Sequence, residues 1–185
     1  MTAPEGATAW RVAAGTMDVV AAAARPDLLA EPARRAGVDL NAFGVAEIDP
    51  ALADTVAFCE HYGVPRALSA NCVVVGGRRG GEQRVAACVV LATTRADVNG
   101  LVKRTLDVRS ASFLPMDEAV AGTGMEYGGI TPLGLPAQWR LLIDSAVAEE
   151  PAVVVGSGLR RSKVVVAGSL LAALPGATVV AGLGR

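Results

Sequence analysis

A chain of 185 residues that is 52% hydrophobic is long enough to close one well-filled core. Its 17 basic and 18 acidic side chains leave a net charge of −1, which excludes a protein that coats long stretches of nucleic acid but admits one that grips only an RNA end with a few arginines. Aromatic residues make up 4%, so the core must be built from small aliphatic side chains.

Residues 1–36 are rich in alanine, and Trp10, Val12, Met17, Val19 and Val20 predict helix, interrupted at Pro26 and Pro32. This region, 1–45, reads as a helical extension ahead of one domain, 46–185. Its start has Glu5 before any apolar stretch and no basic lead-in, which does not resemble a secretory signal. Gly44–Ile48 reads as a short strand. Asp49-Pro50 then supplies a cap followed by proline at the first helical position, and the helix it opens is expected to put Leu52, Val56 and Cys59 on one face and to stop at Gly63. Asn71–Val75 and Gln83–Ala92 form a predicted hairpin across a long turn, Gly76 to Gly81.

Asp97 caps the clearest helix, in which Val98, Leu101, Val102, Thr105 and Leu106 follow a helical rhythm. Ala111–Leu114 reads as strand and Pro115–Val120 as helix. After a glycine-rich segment come strands at Trp139–Ile143, Ala152–Val155, Lys163–Val166 and Ala177–Ala181, with short helices at Ser145–Glu149 and Ser169–Leu174. The 21 uncharged residues between Lys163 and Arg185 nominally reach the length of a membrane span, but Gly168-Ser169, Pro175-Gly176 and Gly182 break them, so no span is predicted. Helices between some strands and hairpins between others predict a mixed α/β (α+β) class, a curled or barrel-like mixed sheet with helices packed around it. Regular β-α alternation, a Walker lysine and a G-x-G-x-x-G turn are all missing, so no nucleotide cofactor is expected.

Cys59, Cys72 and Cys88 are an odd set without C-x-x-C spacing, which argues against a disulfide framework or a zinc knuckle and fits a reducing cytoplasm. His61 is the only histidine, so Ser-His-Asp, Cys-His and multi-histidine metal chemistry are removed unless His61 itself takes part. No metal site is expected. Its place beside Cys59 and Tyr62 near a helix end predicts a structural or solvent-facing role.

The segment Gly122 to Pro136 crowds five glycines and two prolines between apolar runs. Glycine admits positive φ and leaves no side chain in a ligand's way, so neighbouring N–H groups can converge on a polarised oxygen. Helix is disfavoured there by about 1 kcal/mol per glycine and 3 per proline. Elsewhere, Asp97 reads as a cap with Arg95 and Asn99 beside it. Arg160, Arg161 and Lys163 form a basic group after Gly156-Ser157-Gly158. Arg78-Arg79 sits at a hairpin tip, and Asp144 ends a strand as either a cap or a site residue. Ser157 has no base near it in sequence, which argues against a nucleophile.

Met125-Glu126-Tyr127-Gly128-Gly129-Ile130-Thr131-Pro132-Leu133-Gly134-Leu135-Pro136 resembles the glycine-glycine-hydrophobic-Ser/Thr-Pro-x-Gly loop of the YbaK and prolyl-tRNA synthetase-associated domains. Asn71–Val75 falls at that family's first core strand, Asp97–Leu106 at its first central helix, Trp139–Asp144 at the strand ending in Asp, and Val153–Gly158 at the glycine-containing strand end. The resemblance spans residues 46 to 183. It implies hydrolysis of the ester of a mischarged aminoacyl-tRNA, with the tRNA acceptor end (the aminoacyl-adenosine) as partner, without cofactor, DNA or membrane.

It further implies that Gly128 through Pro132 hold the aminoacyl group by backbone contacts, with Gly128, Pro132 and Asn71 as the catalytic positions. Gly129, Ile130, Thr131, Gly134, Gly156, Ser157, Arg95, Asp144 and Lys163 then contact substrate. The chemistry agrees, because an attacked ester carbonyl develops charge on oxygen and preorganised N–H donors stabilise it. One departure stands out: the family's catalytic lysine falls at Asn71. Three readings stay open. Asn71 performs a weaker version of the task, another cation such as Lys163 or Arg95 replaces it, or catalysis is lost and the chain only binds. A hydrolase of small esters is a further alternative, and the sequence leaves the amino acid and the oligomeric state open.

Overall fold

Runs of branched aliphatic residues set the framework of the computed structural model, which describes residues 5–185. In chain order the strands are β1 (Val20–Ala21), β2 (Gly44–Glu47), β3 (Ala70–Arg79), β4 (Glu82–Leu91), β5 (Ala111–Phe113), β6 (Arg140–Asp144), β7 (Val153–Gly156), β8 (Ser162–Val166) and β9 (Ala177–Val180). The helices are α1 (Glu5–Ala14), α2 (Glu31–Arg34), α3 (Thr55–Tyr62), α4 (Lys103–Leu106), α5 (Met116–Thr123), α6 (Ser145–Ala148) and α7 (Gly168–Ala172).

The strands make two sheets, β1-β2-β8-β7 and β5-β3-β4-β6-β9. The first is antiparallel throughout, and in the second β4-β6 and β6-β9 are parallel. A parallel bridge between Ser69 and Val154 brings the edge of one against the other. The class is therefore mixed α/β as expected, with one correction: no closed barrel forms, because the strands divide between two open sheets.

Alternation explains the packing. Val153, Val155, Val164 and Val166 face a core with Leu133, Leu141 and Ile143, while Val154 and Val165 face the opposite side with Phe58 and Cys59 of α3. Continuous valine runs follow from burial on both faces. On the far side of the larger sheet, Val75, Ala86, Cys88 and Val90 pack under Val102 and Leu106. Residues ahead of β2 share these cores: Ala22, Leu28, Leu29 and Phe43 enter the first, and Ala13, Ala14 and Met17 the second. No helix among the described residues is long and apolar enough to cross a membrane.

Several expected elements shift. The hairpin has a two-residue turn, Gly80-Gly81, both at positive φ (60° and 85°), so the long Gly76–Gly81 turn is replaced by strand. Gly76 and Gly77 pair within β3, and glycine fits there because a Cβ would strike Leu114 and the Ser110 carbonyl. Asp49 does cap a turn, accepting from the Ala51 N–H at 2.9 Å, but only a 3₁₀ turn over Pro50–Leu52. The α-helix restarts at Thr55 and buries Phe58 and Cys59 while Val56 stays exposed; it stops at Gly63 (φ 64°). Asp97 accepts from Gly100 and Leu101, but the first turn it caps is π-helical, Val98–Val102. The glycine-rich segment begins inside α5, which runs through Gly122 and Thr123 to Gly124 (φ 66°).

Candidate functional site

The edges of the two sheets meet at Ser69 and Val154, and the hollow beside that seam is a half-open cavity of about 300 Å³. β3 supplies Asn71, Cys72 and Val74; β7 supplies Val155 and Gly156; β8 supplies Lys163. Asp54 and Thr55 come from the start of α3, Gly128 and Ile130 from the glycine-rich loop, and Phe113 and Tyr127 stand at the edge, 61% and 57% exposed.

The loop is held by its own backbone. Gly129 donates to the Glu126 carbonyl at 2.9 Å and its carbonyl accepts from Gly158 at 2.7 Å, while Glu126 donates to Gly158 at 2.9 Å. These bonds tie the loop to the end of β7. Gly156 has no room for a side chain, since a Cβ would strike the Gly129 and Ile130 carbonyls. Gly128 takes φ 81°, and a Cβ there would meet the Arg160 guanidinium, which donates to the Tyr127 carbonyl at 3.3 Å and the Pro50 carbonyl at 3.2 Å. Among the described residues no acceptor takes the N–H of Gly128 or Ile130, and both residues line the cavity.

Other loop positions turn inward or away. Thr131 is fully buried, its N–H directed at the Met125 sulfur at 3.5 Å and its Oγ1 accepting from Leu133 at 3.4 Å. Pro132 and Gly134 line a separate hollow with Pro32, Arg35 and Trp139. Ser157 is wholly buried, with its Oγ 2.7 Å from Ser162 Oγ, and braces the β7–β8 turn. Asp144 caps α6 through Ala146 N–H at 3.0 Å and also accepts from Gly184. Arg95 exchanges backbone hydrogen bonds with Arg185. Neither Asp144 nor Arg95 lines the cavity. His61 is exposed against Tyr62.

Of the charged groups in the cavity, Lys163 is the buried one, 8% exposed. Its Nζ donates to the Ala53 carbonyl at 3.0 Å and lies 4.9 Å from the Phe58 ring centroid. Burial pushes its amine down to about 8; Cys59 and Asp54 pull it back up and Arg160 lowers it further. Asn71 Oδ1 accepts from Thr55 Oγ1 at 2.7 Å, which turns the amide nitrogen away from that partner. Burial holds the Cys72 thiol far above its ordinary range, and it raises Cys88 to about 12. For both, burial disfavours the thiolate that a cysteine nucleophile needs. No group of three or more His, Cys, Asp or Glu able to hold a metal comes together among the described residues.

Sequence reasoning brought out Asn71, Gly128, Ile130, Gly156 and Lys163, all of which meet at this cavity. It missed Asp54, Thr55, Phe113 and Tyr127. Tyr127 lay inside the quoted motif, and Asp54-Thr55 carried a cap-like signature hidden by the stronger Asp49-Pro50.

The fold recurs in solved structures. A scaffold from work on epitope backbone grafting by computational design aligns with TM-score 0.69 at 22% identity, over 85% of this chain and 99% of that one. A hypothetical protein aligns with TM-score 0.69 at 19% identity over 82% and 95%. A candidate trans-editing enzyme for prolyl tRNA synthetase aligns with TM-score 0.69 at 21% identity over 85% and 99%. At these identities the likeness is one of fold. Residues 49–174 match the profile of the aminoacyl-tRNA editing domain, well over half the chain, and the protein belongs to that family.

Proposed function

We propose that this protein is a trans-editing deacylase that hydrolyses the ester between a wrongly attached amino acid and the terminal adenosine of a tRNA. The observation that carries the reading is the cavity itself, of a size for an aminoacyl group and lined by Gly128 and Ile130, whose N–H groups have no acceptor among the described residues. The ester carbonyl oxygen lies against these amides, which stabilise the charge it gains when water attacks. Asn71 turns its amide nitrogen to the substrate, and Asp54 pairs with the α-ammonium. Phe113 and Tyr127 offer exposed faces on which the terminal adenine stacks. Gly129, Thr131, Ser157, Pro132 and Gly134 act through loop shape. The reaction consumes only water and runs in the cytoplasm. The editing unit is residues 46–185, with 1–45 as an extension that completes its core.

A second reading, non-catalytic binding of the aminoacyl-adenosine end, is favoured by one observation: Asn71 stands where the resembling family has its lysine. A panel of charged tRNAs separates the two. The deacylase clears at least one of them well above the buffer rate and loses this in Gly128→Ala. A binding module retains charged tRNA without hydrolysing it, and Asn71→Lys then confers hydrolysis. A protein that neither binds nor cleaves charged tRNA overturns both, leaving a small-ester hydrolase.

A further inference from the structure

Of seventeen basic residues only two are lysines, Lys103 and Lys163, and the chain otherwise relies on arginine for positive charge. Lys103 stands at the start of α4, outside the cavity. Lys163 is the reverse case. It projects from the middle of the smaller sheet, opposite Gly156 in register, to the cavity wall.

An ammonium has three donors, and the Ala53 carbonyl takes one. No other acceptor for Nζ is present among the described residues. The groups facing it are Asp54 ahead of α3, Cys59 and the Phe58 ring on α3, and Arg160 ahead of β8. Asp54 is largely exposed, lies 3.8 Å from Arg160 and makes no hydrogen bond or ion pair with Nζ. A mostly buried charge with one protein acceptor, at the wall of the hollow, is placed to meet a ligand oxygen there.

We infer that Lys163 carries the positive charge absent at position 71, with its ammonium reaching from β8 to hold the ester and to protonate the departing ribose oxygen. The assignment rests on the deacylase reading above. The water oxygen bonds to the carbonyl carbon, and the bond from that carbon to the ribose oxygen breaks with its electron pair staying on the ribose oxygen. That oxygen takes a proton from Lys163. The neutral amine regains a proton from the added water, whose oxygen leaves in the carboxylic acid. A lysine whose amine is lowered to about 8 is charged at neutral pH yet gives up its proton readily.

The test compares native protein, Lys163→Gln, Lys163→Arg and Lys163→Gln with Asn71→Lys, each confirmed folded by thermal unfolding, on a charged tRNA that the native protein hydrolyses. We expect Lys163→Gln to lower kcat about a hundredfold or more, with a smaller change in KM. Lys163→Arg should retain part of the activity and lose the decline above about pH 8 expected of the native protein. The α-ammonium of the substrate titrates alike in all four, so it cancels in the comparison. Restored activity in the double variant supports the assignment. A folded Lys163→Gln with native kcat and native pH profile overturns it while leaving the deacylase reading intact. If the native protein hydrolyses no charged tRNA, the deacylase reading fails. In that case ¹⁵N-lysine NMR, with two side-chain signals to resolve, decides contact: a Lys163 signal moved by a non-hydrolysable 3′-aminoacylamino-adenosine supports the ligand contact, and an unmoved one overturns it.

Discussion

Lys163 also leaves a mark on stability. Its amine is lowered to about 8 in the folded chain from an ordinary 10.5. Below pH 8 both states are protonated and the folded state bears the cost of burying the charge. Between about 8 and 10.5 the folded chain has released the proton while the unfolded chain retains it, so stability rises with pH, by roughly 3 kcal/mol in all. Cys72 and Cys88 act with the opposite sign above pH 9, because burial keeps their thiols protonated after the unfolded chain has ionised. The difference between native protein and Lys163→Met in urea unfolding isolates the lysine: the variant should be the more stable at pH 7, and the gap should close by pH 10.5. At the cavity edge, Phe113→Ala and Tyr127→Ala should each raise KM for charged tRNA, by about 5- to 100-fold if a base stacks there, with kcat little changed; steady-state kinetics checks this. The sequence offered Lys163 as one of several cations. What it could not convey was that this lysine alone lies in the wall, since that depends on the β7–β8 register and on α3 lying over the sheet.

The glycines of the loop and of the hairpin serve different purposes, and substitution separates them. Gly156→Ala drives a methyl group into the Gly129 and Ile130 carbonyls, which are backbone and cannot swing aside. We expect a loss of about 1–3 kcal/mol in urea unfolding and a large loss of deacylation, because the two free amides shift. Gly80→Ala meets nothing within 4 Å and bears only the cost of positive φ, about 1–2 kcal/mol, with deacylation unchanged. Element types were legible because short runs of valine and the Asp97 cap are local signals. The misjudged ends share one cause. Gly76 and Gly77 look like turn residues in sequence, yet they serve strand β3 by admitting Ser110 and Leu114, which are distant neighbours. The continuation of α5 into Gly122 was likewise hidden, because Trp139 fills the space that a side chain there would occupy.

Across the whole molecule, the two sheets place the cavity where neither closes. The sheets meet there through the bridge between Ser69 and Val154. The expected curled sheet was legible from strands of mixed connectivity, whereas its division in two was not, since it follows from pairing between residues far apart in sequence, such as Gly44 with Val165. The extension matters at this scale. Leu28, Leu29 and Phe43 lie within the first core and are at most 2% exposed. Residues 46–185 alone should therefore unfold at a markedly lower temperature than the full chain, as read by circular dichroism, and an unchanged melting temperature would show that the extension packs without contributing.

The central claim is that the Gly128 and Ile130 amides and the cavity beside them hold the aminoacyl ester. A crystal structure with a non-hydrolysable 3′-aminoacylamino-adenosine bound tests it most directly. The account predicts the acyl oxygen about 3 Å from one of those amide nitrogens, the amino-acid side chain inside the cavity and the adenine against Phe113 or Tyr127. An analogue seated instead in the hollow beside Pro132 and Trp139, or held with both amides turned from it, would contradict the account.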